Sequence, residues 1–309
     1  MPVSIGASLK SVAINSADNI SRFPFSGLLD TGTTGYWQLD TGYCLSTSMD
    51  RIVFESVRKV FRHRPALFNL IGRERRGETS ALKDVSFSVA SGEVVALLGP
   101  NGSGKTTALK LISTMLLADA GTVRVGKFDA QREAGEVRRQ VGIAVAAERS
   151  FFPRLSAHEN LEFFAALDEV PRRDRAQRIK EILRDTGLEA QSDTLVMKFS
   201  SGMYQRLGIA RGLVKRPSVL LLDEPTRSLD AATTAHFWST IRALAKQDAT
   251  VLIATHNFAE AAAVADRVLL LQKGDLLGDR VIGNDESAES LRSFYFSKTG
   301  EVDESNSDL

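Results

Sequence analysis

Two adjacent carboxylates, a lysine, a threonine and a histidine stand in this 309-residue chain where they could act on a polyphosphate. The lysine and threonine belong to Gly99-Pro100-Asn101-Gly102-Ser103-Gly104-Lys105-Thr106-Thr107, which follows the apolar run Val94-Val95-Ala96-Leu97-Leu98. The spacing Gly-x-x-x-x-Gly-Lys-[Ser/Thr] wraps backbone N–H groups around a polyphosphate. A side chain at Gly102 or Gly104 would block that approach. Lys105 is expected to reach the β- and γ-phosphates and Thr106 to place its hydroxyl on Mg²⁺, with a helix over roughly 105–117 aiming its N-terminal dipole at the anion.

The carboxylates come at the end of a second apolar run, Val219-Leu220-Leu221-Leu222, as Asp223-Glu224-Pro225-Thr226. Asp223 can hold Mg²⁺ and Glu224 can activate water for attack on a γ-phosphate. Asp-Glu at a strand end can also be an ordinary helix cap, and the phosphate loop upstream favours the chemical reading. His256 follows a third apolar run, Val251-Leu252-Ile253-Ala254. Lys105, Glu224 and His256 thus all lie just past buried strands of parallel type, where such sheets keep their ligands.

The elements that must position these groups read as an α/β sheet. Leu82 to Val89 alternates as a half-buried strand, and Ser91-Gly92 turns it into the strand feeding the loop. Further strands are expected at 122–126 and 141–145, with Arg267 to Leu271 as the final one before a turn at Gly274. After Pro153 the pattern becomes helical. Ser156-Ala157-His158-Glu159 is a capping box, and a second helical pattern runs from Arg173 to Thr186 and stops at Gly187, so residues 154–213 read as a helical insert.

Residues 1–50 are rich in Ser, Thr and Gly and read as a poorly ordered leader; translation beginning at Met49 is one expectation, which a native mass including residues 1–48 would exclude. The acidic segment from Asn284 reads as a tail that frays beyond a short helix around Glu289 to Phe296. From Arg51 to Arg76 seven arginines and Lys59 face only Glu55 and Glu74. A solvated surface is the first reading of such a run, and contact with phosphates, lipid headgroups or an acidic partner the second. Phe61 can stack on a purine or belong to the core. The net charge of +1 argues against a dedicated nucleic-acid binder, and the single Cys44 fits a reducing compartment. With 43% hydrophobic residues but no apolar window long enough to span a bilayer, the chain reads as cytoplasmic.

Over roughly residues 51–283 the chain resembles the ATP-binding-cassette (ABC) ATPases. Besides the motifs at Gly99 to Thr107 and Leu222 to Pro225, Ser228-Leu229-Asp230 is similar to that family's D-loop and His256 to its switch histidine, and Phe61 falls where the family places an adenine-stacking aromatic. Phe199-Ser200-Ser201-Gly202-Met203-Tyr204-Gln205-Arg206 takes the place of the signature Leu-Ser-Gly-Gly-Gln. The resemblance implies a phosphate-loop NTPase fold: a mainly parallel sheet, an N-terminal antiparallel β subdomain and an inserted α-helical subdomain. It implies ATP and Mg²⁺ as ligands and a head-to-tail pair of cassettes, in which Ser200, Ser201 and Gly202 of one copy bind the γ-phosphate held by the other. The Ser-Ser-Gly-Met variant resembles ATPase subunits of exporters of polysaccharides, lipid-linked glycans, lipids and drugs, peripheral on the inner membrane face through a separate permease. Where the family carries a glutamine that touches Mg²⁺ and the attacking water, this chain reads Ala146-Ala147-Glu148-Arg149. Glu148 could ligate Mg²⁺ in its place but cannot donate a hydrogen bond as an amide does. A cassette without a transporter and a nucleotide-sensing regulatory subunit stand as alternatives.

Overall fold

The computed structural model describes residues 50–62, 78–145, 151–283 and 286–300. The leader, Met49, Cys44 and Glu148 lie outside the described residues, as does the whole of the basic run beyond Arg62.

The strand feeding the phosphate loop, β3 (Val94–Leu98), is buried at all five positions. It pairs in parallel with β8 (Thr250–Thr255) on one side and β9 (Arg267–Gln272) on the other. Beyond β8 lie β7 (Val219–Asp223) and then β6 (Val141–Val145), both parallel. Strands covered on both faces read as unbroken apolar runs, which is why these stand out in the sequence. Their side chains still divide by a period of two: Leu220, Leu222, Val251 and Ile253 face one core, Leu221, Leu252 and Ala254 another.

The second of these cores is closed by an antiparallel sheet. β1 (Asp50–Arg62) lies between β2 (Glu78–Ala90) and β4 (Ala120–Val125), and β5 (Phe128–Asp129) pairs with β4. Phe54 and Phe87 stack at 4.5 Å there, over Leu109 and Ile112 of α1 (Lys105–Ile112). Part of the basic run is paired inside this unit: the Lys59 ammonium lies 3.1 Å from the Asp119 carboxylate and Arg62 3.2 Å from Glu78. After α2 (Ala134–Gln140), three helices build the first core: α3 (Ala157–Leu167), α4 (Arg172–Asp185) and α5 (Ser201–Leu213). Leu161, Ile179, Leu183 and Leu207 pack there with Phe237 and Ile241 of α6 (Ala231–Ala245). The capping box opens α3 as expected, Ser156 Oγ accepting from the Glu159 N–H while Glu159 accepts from the Ser156 N–H at 2.7 Å. The architecture agrees with the expected fold class.

Three expectations are corrected. The loop helix ends at Ile112, not Leu117, because Thr114 takes a positive φ of 62° and breaks the turn. Arg267 to Leu271 is not the final strand: β10 (Asp275–Val281) folds back antiparallel on β9 at the sheet edge. Its Asp275, Asp279 and Arg280 suit an edge and hide the strand pattern. The helix in the acidic tail, α8 (Ala288–Thr299), is longer than expected and docked. Leu291 and Tyr295 are buried against Leu98, Leu270 and Ala261 of α7 (Phe258–Val264).

One close approach sets the position of α5. A Cβ on Gly142 of β6 would fall 2.0 Å from the carbonyl oxygen of Gly212 and 2.7 Å from Pro217 Cγ. Gly142→Ala is expected to push α5 off the sheet and lower stability by about 2 kcal/mol or more, read as a fall in Tm. An unchanged Tm would show that the helix has room to move.

Candidate active site

The groups singled out from sequence meet where β3, β7 and β8 end. Register places Leu98 opposite Thr255 and Asp223 opposite Ala254, so the residues that follow each strand emerge side by side. In the loop after β3, Asn101 and Gly102 are exposed, and Ser103, Gly104 and Lys105 buried. Gly102 has φ +80° and a Cβ there would meet nothing within 4 Å, so the space over it is open. Gly104 needs glycine for a further reason besides phosphate approach: at φ +114° its Cβ would sit 2.5 Å from the Ala81 carbonyl oxygen of β2.

No side chain caps the start of α1, so its first N–H groups face the loop. The Ser103 hydroxyl is buried with no hydrogen-bond partner. The Lys105 ammonium donates to the carbonyls of Gly99, at 2.6 Å, and Pro100, at 3.0 Å. Burial lowers the Lys105 pKa, against the opposing pull of Glu224 and Asp223. The Thr106 hydroxyl donates to Asp223 Oδ2 at 2.9 Å, and burial raises the Asp223 pKa despite that bond. Open space over Gly102, an orphaned hydroxyl, a buried ammonium and uncapped helix amides suit a polyphosphate. The paired Thr106 and Asp223 oxygens suit a hard cation that takes few protein ligands and keeps its waters or phosphate oxygens.

Glu224 has φ +49°, a region rare for residues with a side chain. Its N–H donates to the Ala254 carbonyl at 2.9 Å, and its Oε1 accepts from His256 Nδ1 at 2.7 Å. Thus Glu224 and His256 form a pair, with the imidazole half exposed. Behind them lies a residue that sequence reasoning missed. Glu260 of α7, 6% exposed, accepts from the Thr226 hydroxyl at 2.5 Å and from the Thr255 hydroxyl. It ties the segment carrying Glu224 to the one carrying His256. Its only sequence signal is a glutamate four residues beyond a histidine at the start of a helix.

Of the remaining predicted residues, Thr107 adjoins this cluster, and among the described residues no hydrogen bond joins Phe61, Ser200, Ser201 or Gly202 to it. Thr107 is half-buried on α1 beside Thr106. Phe61 pairs with Thr79 across β1 and β2, with the Lys59 ammonium 5.7 Å from its ring centroid. Ser200 caps α5, its hydroxyl accepting from the Met203 N–H at 3.3 Å, and Ser201 is exposed. A Cβ on Gly202 would fall 2.7 Å from the Ser228 carbonyl oxygen, so this turn rests on Ser228 and Leu229. Among the described residues no hydrogen bond joins Ser200, Ser201 or Gly202 to the loop at Gly99 to Thr107. Asp230 caps α6 through the Thr233 N–H at 2.9 Å. Among the described residues there is no group of three or more His, Cys, Asp or Glu placed to hold a metal by themselves, and no helix long and apolar enough to cross a membrane.

The chain is similar to several known proteins. The family model described as ABC transporter matches residues 82–227. The ABC transporter ATP-binding protein NatA of Bacillus subtilis is 31% identical over 229 residues, 73% of this chain and 93% of that protein. A daunorubicin resistance ATP-binding protein of Streptomyces coeruleorubidus, DrrA3, is 36% identical over 209 residues, 67% of this chain and 66% of its own length. Among solved structures, a dimeric ATP-binding cassette in a post-hydrolysis state, bound to ADP and Pi, superposes with a TM-score of 0.65 at 26% identity, over 75% of this chain and 99% of that one.

Glu260 also gives the site a pH signature. Burial raises its pKa above 4.5, against the hydrogen bonds from Thr226 and Thr255; Glu224 raises it further and His256 lowers it. A carboxyl raised in the folded state contributes stability below its unfolded pKa and loses it as pH rises through the folded one. Denaturant unfolding is therefore expected to show wild type losing stability relative to Glu260→Gln as pH rises from about 4 towards 8. A difference constant with pH would contradict it.

Proposed function

Because the chain belongs to the ABC transporter family and carries its ATPase domain, we propose that it hydrolyses ATP as one of two paired cassettes and powers export through a separate membrane permease. The observation that carries this reading is the Glu224–His256 pair, 2.7 Å apart, beside the Lys105 loop and the Thr106–Asp223 pair. The loop amides, Lys105 and the Ser103 hydroxyl would hold the phosphates, with Asn101, Gly102 and Thr107 completing the cradle and Phe61 taking the base. Thr106 and Asp223 would hold Mg²⁺, with Glu148 as a further ligand. The ion, when bound, offsets charge developing on the phosphate oxygens.

In the chemical step Glu224 takes a proton from water as the water oxygen bonds to the γ-phosphorus. The bond from that phosphorus to the β-bridging oxygen breaks, releasing ADP and phosphate. His256 holds the Glu224 carboxylate in line through its Nδ1–H. The second half of each site comes from Ser200, Ser201 and Gly202 of another copy, a helix N-terminus suited to an anion. The solved neighbour's dimeric state and ADP and Pi, and the sheet-end geometry, support this reading.

The exporter reading rests on the Ser-Ser-Gly-Met sequence and on the drug-resistance name of the Streptomyces relative. It places the chain at the inner face of the cell membrane, with a drug, lipid, lipid-linked glycan or polysaccharide as substrate and no nucleic-acid partner. The sequence Ala146-Ala147-Glu148-Arg149 favours one second reading, a nucleotide-sensing subunit with weak hydrolysis, since an amide donor is absent there.

Glu224→Gln tests the first reading. It keeps the shape and the contact with His256 but removes the base, so ATP binding is expected to persist while turnover falls about 100-fold or more. A stable dimer should accumulate in ATP, seen by size-exclusion chromatography. Near-normal turnover would remove Glu224 from the role of base.

A further inference from the structure

Gln205 stands on α5, one turn beyond the Ser200 to Gly202 segment, and both of its side-chain hydrogen bonds leave its own helix. Its Nε2 donates to the backbone carbonyl of Glu224 at 2.7 Å, and its Oε1 accepts from the N–H of Ser228 at 3.1 Å. The residue it touches is strained. Glu224 has φ +49° and is followed by Pro225, and a residue before proline is driven towards extended backbone. Such a conformation persists only where the surroundings fix it. At Glu224 three bonds do so: its N–H is held by Ala254 from β8, and its carbonyl accepts from Gln205 of α5 at 2.7 Å and, more weakly, from the Arg227 N–H at 3.4 Å.

We infer that Gln205 is a positioning residue that sets the backbone of Glu224 from the helix whose N-terminus meets the other copy's nucleotide. The inference rests on the hydrolytic reading of Glu224 and on the pairing of cassettes proposed above. When Ser200 to Gly202 engage a phosphate held by the second copy, any shift of α5 reaches the Glu224 carbonyl through one side chain. The same amide holds Ser228, whose carbonyl lies beneath Gly202. Each copy's base is thereby aligned by the occupancy of its partner's loop. A half-buried glutamine in a helix also packs, but packing alone requires neither a donor to one backbone segment nor an acceptor for another.

Two substitutions in the full chain separate these roles. Gln205→Met keeps length and helix propensity and loses both bonds. Gln205→Glu keeps the size and the acceptor for Ser228 but, assayed at pH 8, offers the Glu224 carbonyl no donor from α5 and leaves it only the long bond from the Arg227 N–H. Both are expected to lower kcat by about 10-fold or more with ATP KM within about twofold of wild type and Tm unchanged, because misalignment of a reacting group costs rate rather than binding. A Gln205→Glu protein with kcat within about twofold of wild type would overturn the inference. So would losses in both variants that track a fall in Tm and a rise in KM. A wild-type chain with no ATPase activity would instead overturn the hydrolytic reading itself.

Discussion

The parallel register of β7, β8 and β3 is the constraint on which the site depends. With Asp223 opposite Ala254 and Leu98 opposite Thr255, the Glu224 N–H reaches the Ala254 carbonyl, and His256 reaches the Glu224 carboxylate. A slip of one residue between any two of these strands would exchange their faces, moving Leu221 and Leu252 out of one core and into the other. The two apolar cores on either side of the sheet therefore specify the active-site geometry. Burial by itself is non-directional, yet the alternation it enforces along each strand fixes where polar groups emerge at the strand ends.

At those ends the structure holds groups that would relax elsewhere if free. The left-handed backbone of Glu224 costs on the order of 1–3 kcal/mol, offset by its hydrogen bonds with Ala254 of β8, Gln205 of α5, and Arg227 and His256 in the adjoining loops. Glu260, with its two threonine hydroxyls, braces the segments behind Glu224 and His256. Asp223 and Lys105 are shifted towards neutrality by burial, a state that a bound polyphosphate and cation would reverse by supplying opposite charge to each. The site thus has the electrostatics of a receptor for a charged ligand. Lys105 donates to the loop carbonyls and Thr106 to Asp223.

Much of this was legible in the residues alone, for physical reasons that differ from place to place. β3, β7 and β8 are buried on both faces and therefore continuous in apolar character, so their ends, and the polar residues after them, could be located. The capping box of α3 is local chemistry and was readable as such. β10 was hidden because an edge strand needs few apolar residues. Glu260 and Gln205 were hidden because their partners lie 19 to 34 residues away and depend on the fold, apart from the nearby Thr255. Gly104 was recognised as necessary, but the strand β2 that crowds it could not be inferred from its spacing.

The central claim is that each nucleotide site is completed by a second copy of the chain, and complementation tests it most directly. Lys105→Ala removes the loop ammonium and leaves the signature segment intact. Ser200→Asp keeps a good helix cap but sets a negative charge where the partner's γ-phosphate should sit. Each variant alone should be nearly inactive, and mixing them should restore ATP hydrolysis, since one of the two sites in the mixed pair joins an intact loop to an intact signature. Near-wild-type hydrolysis by the Ser200→Asp protein alone, or no recovery on mixing, would contradict the account.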